Sequence, residues 1–286
     1  MKDSQKFLSI VIPIASADRH IKNLENWIRN EDFEDVEIFL IHDRKEKESS
    51  DSLLELISNF PNISICLESA EFNSPGLARN VGIRKASGRW VTFLDADDYQ
   101  HTEDIKEAIR QNKNADMIIG QFQRIYSTGK QAKTVNTNLV SEIWMDPGFW
   151  RIAYSRDLLL GINFSSLKMG EDIVFLADIL REKRNIAFSS GIFYDYFVGS
   201  PFQSSTNRNN FGDLAKAIQS IMEKNPEWPT HKNDLGFLNR LALSYLKHSL
   251  EIKNLLGFTF ALWVLSRVYF YFLIEILSKC LRGFRL

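Results

Sequence analysis

The sequence predicts an α/β fold built on a mostly parallel sheet, and three observations carry that prediction. Short apolar runs alternate with helical patterns from residue 8 to residue 120. Each run is continuously apolar, as expected for strands buried on both faces. One of them, residues 90–94, leads straight into the carboxylates Asp95, Asp97 and Asp98, at the strand end where open α/β sheets bind ligands.

Residues 8–14 (LSIVIPI) read as the first strand. Lys2, Lys6, this apolar run and Ala15-Ser16-Ala17 imitate a secretory signal. Asp3 dilutes the basic region, however, Pro13 interrupts the run, and cleavage after Ala17 would delete the first strand, so a buried strand is the expectation. A helix over 19–29, a strand over 36–41, a helix over 51–59 and a short strand over 63–67 follow. The next helix, 74–86, has Pro75 in its first turn, Leu77, Val81 and Ala86 near helical spacing, and Gly88 as its stop. After the strand at 90–94 come a helix opened by Thr102-Glu103-Asp104 and a strand at 116–120. The pattern turns polar from 121 to 140, with Ser127-Thr128-Gly129-Lys130 reading as a hairpin turn.

A chain of 286 residues can bury a full core and carry an appendage. A net charge of -1 and a pI near 6.5 supply no field for nucleic acid. Cys66 and Cys280 form no disulfide framework or cysteine metal cluster, which makes a reducing cytosol the simplest setting, and Cys66 reads as a small core residue of a strand. Neither a Gly-x-Gly-x-x-Gly fingerprint nor a Gly-x-x-x-x-Gly-Lys-Ser/Thr loop occurs, which disfavours dinucleotide dehydrogenases and P-loop enzymes.

Carboxylates crowded as in Asp95-Ala96-Asp97-Asp98 repel one another, and a hard divalent cation bridging to a phosphate relieves the repulsion. An acidic turn alone is more often a solvated loop, so the segment before it matters. Ser74-Pro75-Gly76-Leu77-Ala78-Arg79-Asn80-Val81-Gly82, followed by Ala86-Ser87-Gly88-Arg89-Trp90-Val91-Thr92-Phe93-Leu94 and the acidic turn, resembles the inverting nucleotide-sugar glycosyltransferases of family 2, which have the GT-A fold. Leu8-Ser9-Ile10-Val11-Ile12-Pro13-Ile14, the strand ending at Asp43, and Met169-Gly170-Glu171-Asp172 are similar to further segments of that family. The resemblance runs over about the first 200 residues.

The resemblance implies a GT-A, Rossmann-like catalytic domain over 1–208, and the sequence beyond it reads as a helical extension over 209–254 and an apolar, basic-ended helix over 255–286. It implies transfer of a sugar from a nucleoside diphosphate, with UDP the expected carrier, to a glycan or lipid-linked acceptor. It makes Asp172 the general base, since an inverting transfer needs one carboxylate to take the acceptor proton. Asp97, with Asp95, would hold Mn²⁺ or Mg²⁺; Pro13, Ala15, Asp43, Gly76, Arg79, Asn80 and Ala96 complete the donor side. On the acceptor side stand Trp150, Glu171 and Asp98. Several of these have a second reading: Arg79 as a bridge to a neighbouring carboxylate, Asp98 as a cap on the following helix, Trp150 as core, Glu171 as a tuner of Asp172. Tyr194, Tyr196, Ser204, Ser205, Thr206 and Arg208 lie where the family carries a loop over the nucleotide, while His231 and His248 lack ligand spacing.

Two departures leave the nucleobase open: Ala15-Ser16 stands where the family has Tyr-Asn, and His42-Asp43-Arg44-Lys45 where it has Asp-Asp-Gly-Ser. No Gln-x-x-Arg-Trp segment follows Asp172, which favours one sugar per encounter over processive synthesis. The alternatives are a nucleotidyltransferase on a related sheet and a catalytically silent glycan- or nucleotide-binding subunit.

Residues 255–277 are almost wholly apolar, interrupted by Arg267 and Glu275 and followed by Lys279, Arg282 and Arg285. At ~1.5 Å per residue such a helix reaches across a ~30 Å hydrocarbon core, and its apolar residues offset the roughly 3 kcal/mol of a central Arg. Arg267, Tyr271, Glu275, Ser278 and Arg282 nevertheless share one sector of the helical wheel. That favours a helix lying in the membrane surface, on the cytoplasmic face, over one that spans. Packing on the enzyme's own core or in a homo-oligomer interface is the alternative.

Overall fold

A computed structural model describes residues 6–44, 50–126, 133–199, 210–224 and 232–283. Contacts divide the chain into two units, the first holding Met1–Val140, Gly148–Ser166 and Lys183–Gln203, the second Ser141–Pro147, Leu167–Glu182 and Ser204–Leu286. Whereas the sequence reads as consecutive segments meeting at 208 and 254, the helical unit also takes in 141–147 and 167–182.

The first unit contains β1 (Leu8–Ile14), α1 (Ile21–Asn30), β2 (Val36–Asp43), α2 (Asp51–Ser58), β3 (Ser64–Ala70), α3 (Pro75–Lys85) and β4 (Trp90–Phe93). It continues with β5 (Tyr99–Gln100), α4 (Thr102–Gln111), β6 (Met117–Tyr126), β7 (Lys133–Val135), β8 (Ile152–Ser155) and β9 (Ile186–Val198). The strands form one sheet in the order β3-β2-β1-β4-β8-β6-β9-β5, with β7 beside β6. The long ladders, β1 with β2 and β4, β2 with β3, and β6 with β9, are parallel. Short antiparallel pairings of β8 with β4 and β6 join the two parallel halves. The expected strands and helices up to residue 120 are all present, and β6 pairs antiparallel with β7 across 127–132, so the expected hairpin turn lies outside the described residues.

Burial explains the central strands. All of β2, and all of β1 except Pro13, is buried, so apolar side chains are needed on both faces. Cys66 is a correction: it does lie in a strand, but β3 is the sheet edge and the residue is exposed rather than core. Helix α3 lies close against β1, where a Cβ on Gly82 would stand 2.3 Å from Val11 Cγ1. The turn from α3 to β4 is pinned by Glu37, a buried carboxylate that accepts from Ser9 Oγ at 2.6 Å, Ser87 N at 2.7 Å and Gly88 N at 3.0 Å. Those donors replace the water that a buried charge loses.

The second unit is helical: α5 (Glu171–Leu180), α6 (Gly212–Glu223), α7 (Lys232–Glu251) and α8 (Leu255–Gly283). Helix α8 packs along α7 and buries Ala261, Val264, Leu265 and Val268, while Leu256, Trp263 and Phe270 on its other side are exposed. Among the described residues no helix is long and apolar enough to cross a membrane. His248 of α7 is buried, its ring stacked 3.9 Å from that of Phe211. His231, Ser204, Ser205, Thr206 and Arg208 lie outside the described residues.

Candidate active site

Three parallel strands deliver the donor-side residues to one edge. Ile14 is in register with His42, so Pro13 and Ala15 at the end of β1 lie beside Asp43 at the end of β2. On the other side of β1, Val11 is in register with Phe93 and accepts from Leu94 N at 3.1 Å, which places Asp95, Ala96 and Asp97 just past the end of β4. This carboxyl edge is where an open α/β sheet takes its ligand. Ala15 is exposed, and Ser16 after it adopts a left-handed backbone with φ of 58°.

Asp43 has one oxygen already engaged: Oδ1 accepts from Phe72 N at 2.7 Å and Asn73 N at 3.1 Å, holding the loop that leads to α3. Gly76, Arg79 and Asn80 of α3 are all buried. Arg79 takes its second reading, bridging to Asp95 Oδ1 at 2.6 Å, with its guanidinium 4.5 Å from the Phe149 ring centroid. Asn80 is tied to the backbone of Phe164. Its Nδ2 donates to Phe164 O at 2.8 Å and its Oδ1 accepts from Phe164 N at 2.8 Å, so both ends of the amide are engaged by one backbone residue.

The acidic turn separates its three carboxyls by environment. Asp95 and Asp97 are half-buried, whereas Asp98 is only 2% exposed. Asp98 therefore follows neither expectation, acceptor contact or helix cap. Its Oδ2 accepts from Tyr194 Oη at 3.0 Å and its Oδ1 from Phe197 N at 2.8 Å, both groups of β9. Burial, with Asp95 and Asp97 adding repulsion, pushes the Asp98 carboxyl up to about 9 against the opposing pull of those two donors. Two carboxylates make a hard-oxygen set that suits Mn²⁺ or Mg²⁺ when diphosphate oxygens complete the shell, and no group of three metal-ligating side chains occurs among the described residues.

Tyr194 and Tyr196 lie in β9 rather than in a loop over the nucleotide, and Tyr194 is fully buried. Trp150 takes the core reading: its ring stacks on Tyr194 at 4.2 Å and on Tyr196 at 5.5 Å, and meets Phe122 edge-on. Sequence reasoning missed two neighbours of the turn. Asn23 of α1 donates through Nδ2 to Ala96 O at 2.8 Å and Asp98 O at 2.9 Å. His20, just before α1, has its imidazole lowered by burial, an effect partly opposed by the charge of Asp97. Neither lies within 70 residues of the turn in sequence, so no local pattern could reveal them.

In the second unit, Glu171 and Asp172 open α5 behind Gly170, whose φ of 83° is a left-handed conformation suited to glycine. Glu171 is buried and Asp172 half-buried, and Asp172 Oδ1 accepts from Ile173 N at 2.8 Å.

Comparison with known proteins agrees with this architecture. The chain is 23% identical over 190 residues to an uncharacterised glycosyltransferase of Haemophilus influenzae, a match covering 64% of this chain and 75% of that one. It is 30% identical over 105 residues to the poly(ribitol-phosphate) beta-N-acetylglucosaminyltransferase TarS of Staphylococcus aureus, covering 35% of this chain and 18% of TarS. In structure it is similar to TarS residues 1–349 in complex with UDP-GlcNAc, with a TM-score of 0.61 at 19% identity over 89% of this chain and 90% of that one. It is also similar to the mannosyltransferase PcManGT from Pyrobaculum calidifontis in complex with GDP-Man and Mn²⁺, with a TM-score of 0.55 at 13% identity over 92% of this chain and 75% of that one. These likenesses establish a GT-A fold with a helical C-terminal region. The sequence profile of Glycosyl transferase family 2 matches residues 9–170, more than half of the chain, and the chain therefore belongs to that family.

Proposed function

We propose that this glycosyltransferase moves a sugar from a nucleoside diphosphate, UDP first among candidates, to a hydroxyl of a glycan or lipid-linked saccharide, one sugar per encounter and with inversion. The observation that carries this reading is the gathering of Asp43, Asp95 and Asp97 at the carboxyl ends of β2 and β4, on either side of β1. The TarS likeness supports UDP-GlcNAc as a donor to test first and a cell-surface polymer as the acceptor class.

In this reading the acceptor oxygen bonds to the anomeric carbon as that carbon's bond to the diphosphate oxygen breaks. Asp172 takes the hydroxyl proton. Asp97 and Asp95 would hold Mn²⁺ or Mg²⁺, which offsets the charge of the departing diphosphate. Arg79 keeps one oxygen of Asp95 engaged, and Asp97 is assigned as the principal ligand. Incubating the protein with a panel of nucleotide sugars, in Mn²⁺ or in chelator, tests the reading. Metal-dependent release of UDP is expected. A protein that binds nucleotide sugars and consumes none of them, with any acceptor, is instead a silent binding subunit.

We further propose that α8 attaches the protein to the cytoplasmic face of a membrane, lying in its surface. The support is the division of the helix into a face buried on α7 and an open face carrying Leu256, 82% exposed, Trp263 and Phe270, 62% exposed. Arg267 borders that open face, and the sequence continues with Lys279, Arg282 and Arg285, a basic complement to anionic headgroups. Ending the chain at Asn254 should move the protein from the membrane pellet to the supernatant. A truncated protein that still pellets, or a full-length protein soluble without detergent, overturns the attachment, and a soluble full-length homo-oligomer would assign the face to a second copy.

A further inference from the structure

We propose that Tyr194 and Asn23 are positioning residues that fix the direction of the Asp97 carboxylate. Past Leu94, whose N–H still donates to Val11 O of β1, the backbone of the acidic turn finds other partners. Asp95 N donates to Tyr194 Oη at 3.0 Å, and the same hydroxyl donates to Asp98 Oδ2 at 3.0 Å, so one oxygen joins the first and last residues of the turn. Asn23 Nδ2 spans the carbonyls of Ala96 and Asp98 at 2.8 and 2.9 Å. Asp98 N closes the turn on Asp95 O at 3.0 Å. The residue between those ties is Asp97.

The anchors are themselves immobilised. The Tyr194 ring is fully buried in β9 and stacked on Trp150 at 4.2 Å, so its hydroxyl cannot swing away. Asn23 sits on α1, whose Leu24, Trp27 and Ile28 are buried in the core and whose Trp27 Nε1 donates to Gln100 O at 2.8 Å, just beyond the turn. Adjacent like charges push a free turn apart. A clamp from two remote elements keeps the carboxylates where repulsion would splay them, so the geometry needed by a bound cation exists before the cation arrives. Neither Tyr194 nor Asn23 belongs to the acidic run, and the two come from different regions of the chain.

The proposal rests on Asp97 holding the cation of the nucleotide, and the experiment separates the two ideas. UDP binding is measured by calorimetry in Mn²⁺ and in chelator for the wild type, Tyr194→Phe and Asn23→Ala, with a thermal melt of each. Tyr194→Phe keeps the ring and removes one hydroxyl. The expected result is about a tenfold weaker Mn²⁺-dependent affinity in each variant, on the order of the hydrogen bonds each one loses, with metal-free binding unchanged and a cooperative melt that shows the variant folded. Wild-type Mn²⁺-dependent affinity in both variants overturns the clamp alone. A wild type indifferent to Mn²⁺ overturns the cation reading and the clamp with it. Should Tyr194→Phe fail to fold, the half-buried Asn23→Ala decides the matter by itself.

Discussion

The protein carries two acidic segments that look alike in sequence and are built differently. Asp95-Ala96-Asp97-Asp98 follows a strand and is held from α1, α3 and β9. Glu171-Asp172 opens a helix behind a left-handed glycine, and the bond from Ile173 N to Asp172 Oδ1 lies within the first turn of that helix. In the first segment, partners on remote elements turn the Asp98 carboxyl into the protein and leave Asp95 and Asp97 half-buried. In the second, a backbone N–H of the helix's own first turn holds one oxygen of Asp172. A carboxylate's chemistry is therefore set by what its neighbours leave available, and a count of acidic residues does not reveal it.

The comparison breaks first at Asp172. Replacing it by Asn keeps its size and removes its ability to take a proton, so transfer should fall by ~10²–10⁴-fold while UDP binding by calorimetry stays at the wild-type level. Transfer at near wild-type rate would leave the helix-borne carboxylate without a catalytic role.

The support of the strand-borne turn can be loosened through α3. In Gly82→Ala the new Cβ meets Cγ1, Cγ2 and Cβ of Val11, a β-branched side chain that is fully buried, and pushes away the helix that carries Arg79 to Asp95. A loss of about 1–3 kcal/mol in denaturant unfolding is expected, and an unchanged midpoint would refute the close-packing account. The matching change at the helix-borne segment is Gly170→Ala. It places a side chain at φ of 83° with its Cβ 3.1 Å from that of Ala217, and should cost about 1–2 kcal/mol. The two substitutions sharpen the contrast if only the first alters Mn²⁺-dependent UDP binding.

The smallest effect is a pH dependence of the sheet next to the turn. His101 Nε2 lies 3.1 Å from Asp195 Oδ2, and that hydrogen bond raises the imidazole above its usual value against the opposing effect of burial. Because the folded value is the higher one, the stability it lends is full below about pH 6.5 and is lost as pH rises through the folded value. The melting temperature of the wild type should drop by about a degree or two more than that of His101→Gln between pH 6 and 8. Parallel profiles would mean that the pair contributes nothing.

Much of the first half of the fold was legible because β1, β2 and β4 are buried on both faces and read as continuous apolar runs. β9 was not. Its sequence, IAFSSGIFYDYFV, is mostly half-buried and mixes serine and aspartate with aromatics, so it shows neither an unbroken apolar run nor a clean alternation. Its partner β6 lies about 70 residues earlier, and such pairing leaves no local trace. The site divides in the same way. Asp43, Asp95 and Asp97 end or follow strands that the pattern located, whereas Asn23, His20 and the inward turn of Asp98 depend on packing between remote segments. Cys66 failed for a related reason: a strand is recognisable from its residues, but its place at the edge of a sheet is not.

The amide of Asn80 gives and receives one hydrogen bond with the same backbone residue, Phe164. Among short side chains, aspartate lacks the donor, serine cannot span both groups, and leucine leaves the two backbone groups unsatisfied. The letter at this position is therefore a spelling rule of the architecture, enforced whether or not a sugar is ever transferred. A product that had lost its chemistry would still lose both of these hydrogen bonds on replacement of Asn80. In this chain Asn80 serves the architecture at Phe164, while Asp97, seventeen residues later, lies in the turn proposed to hold the cation.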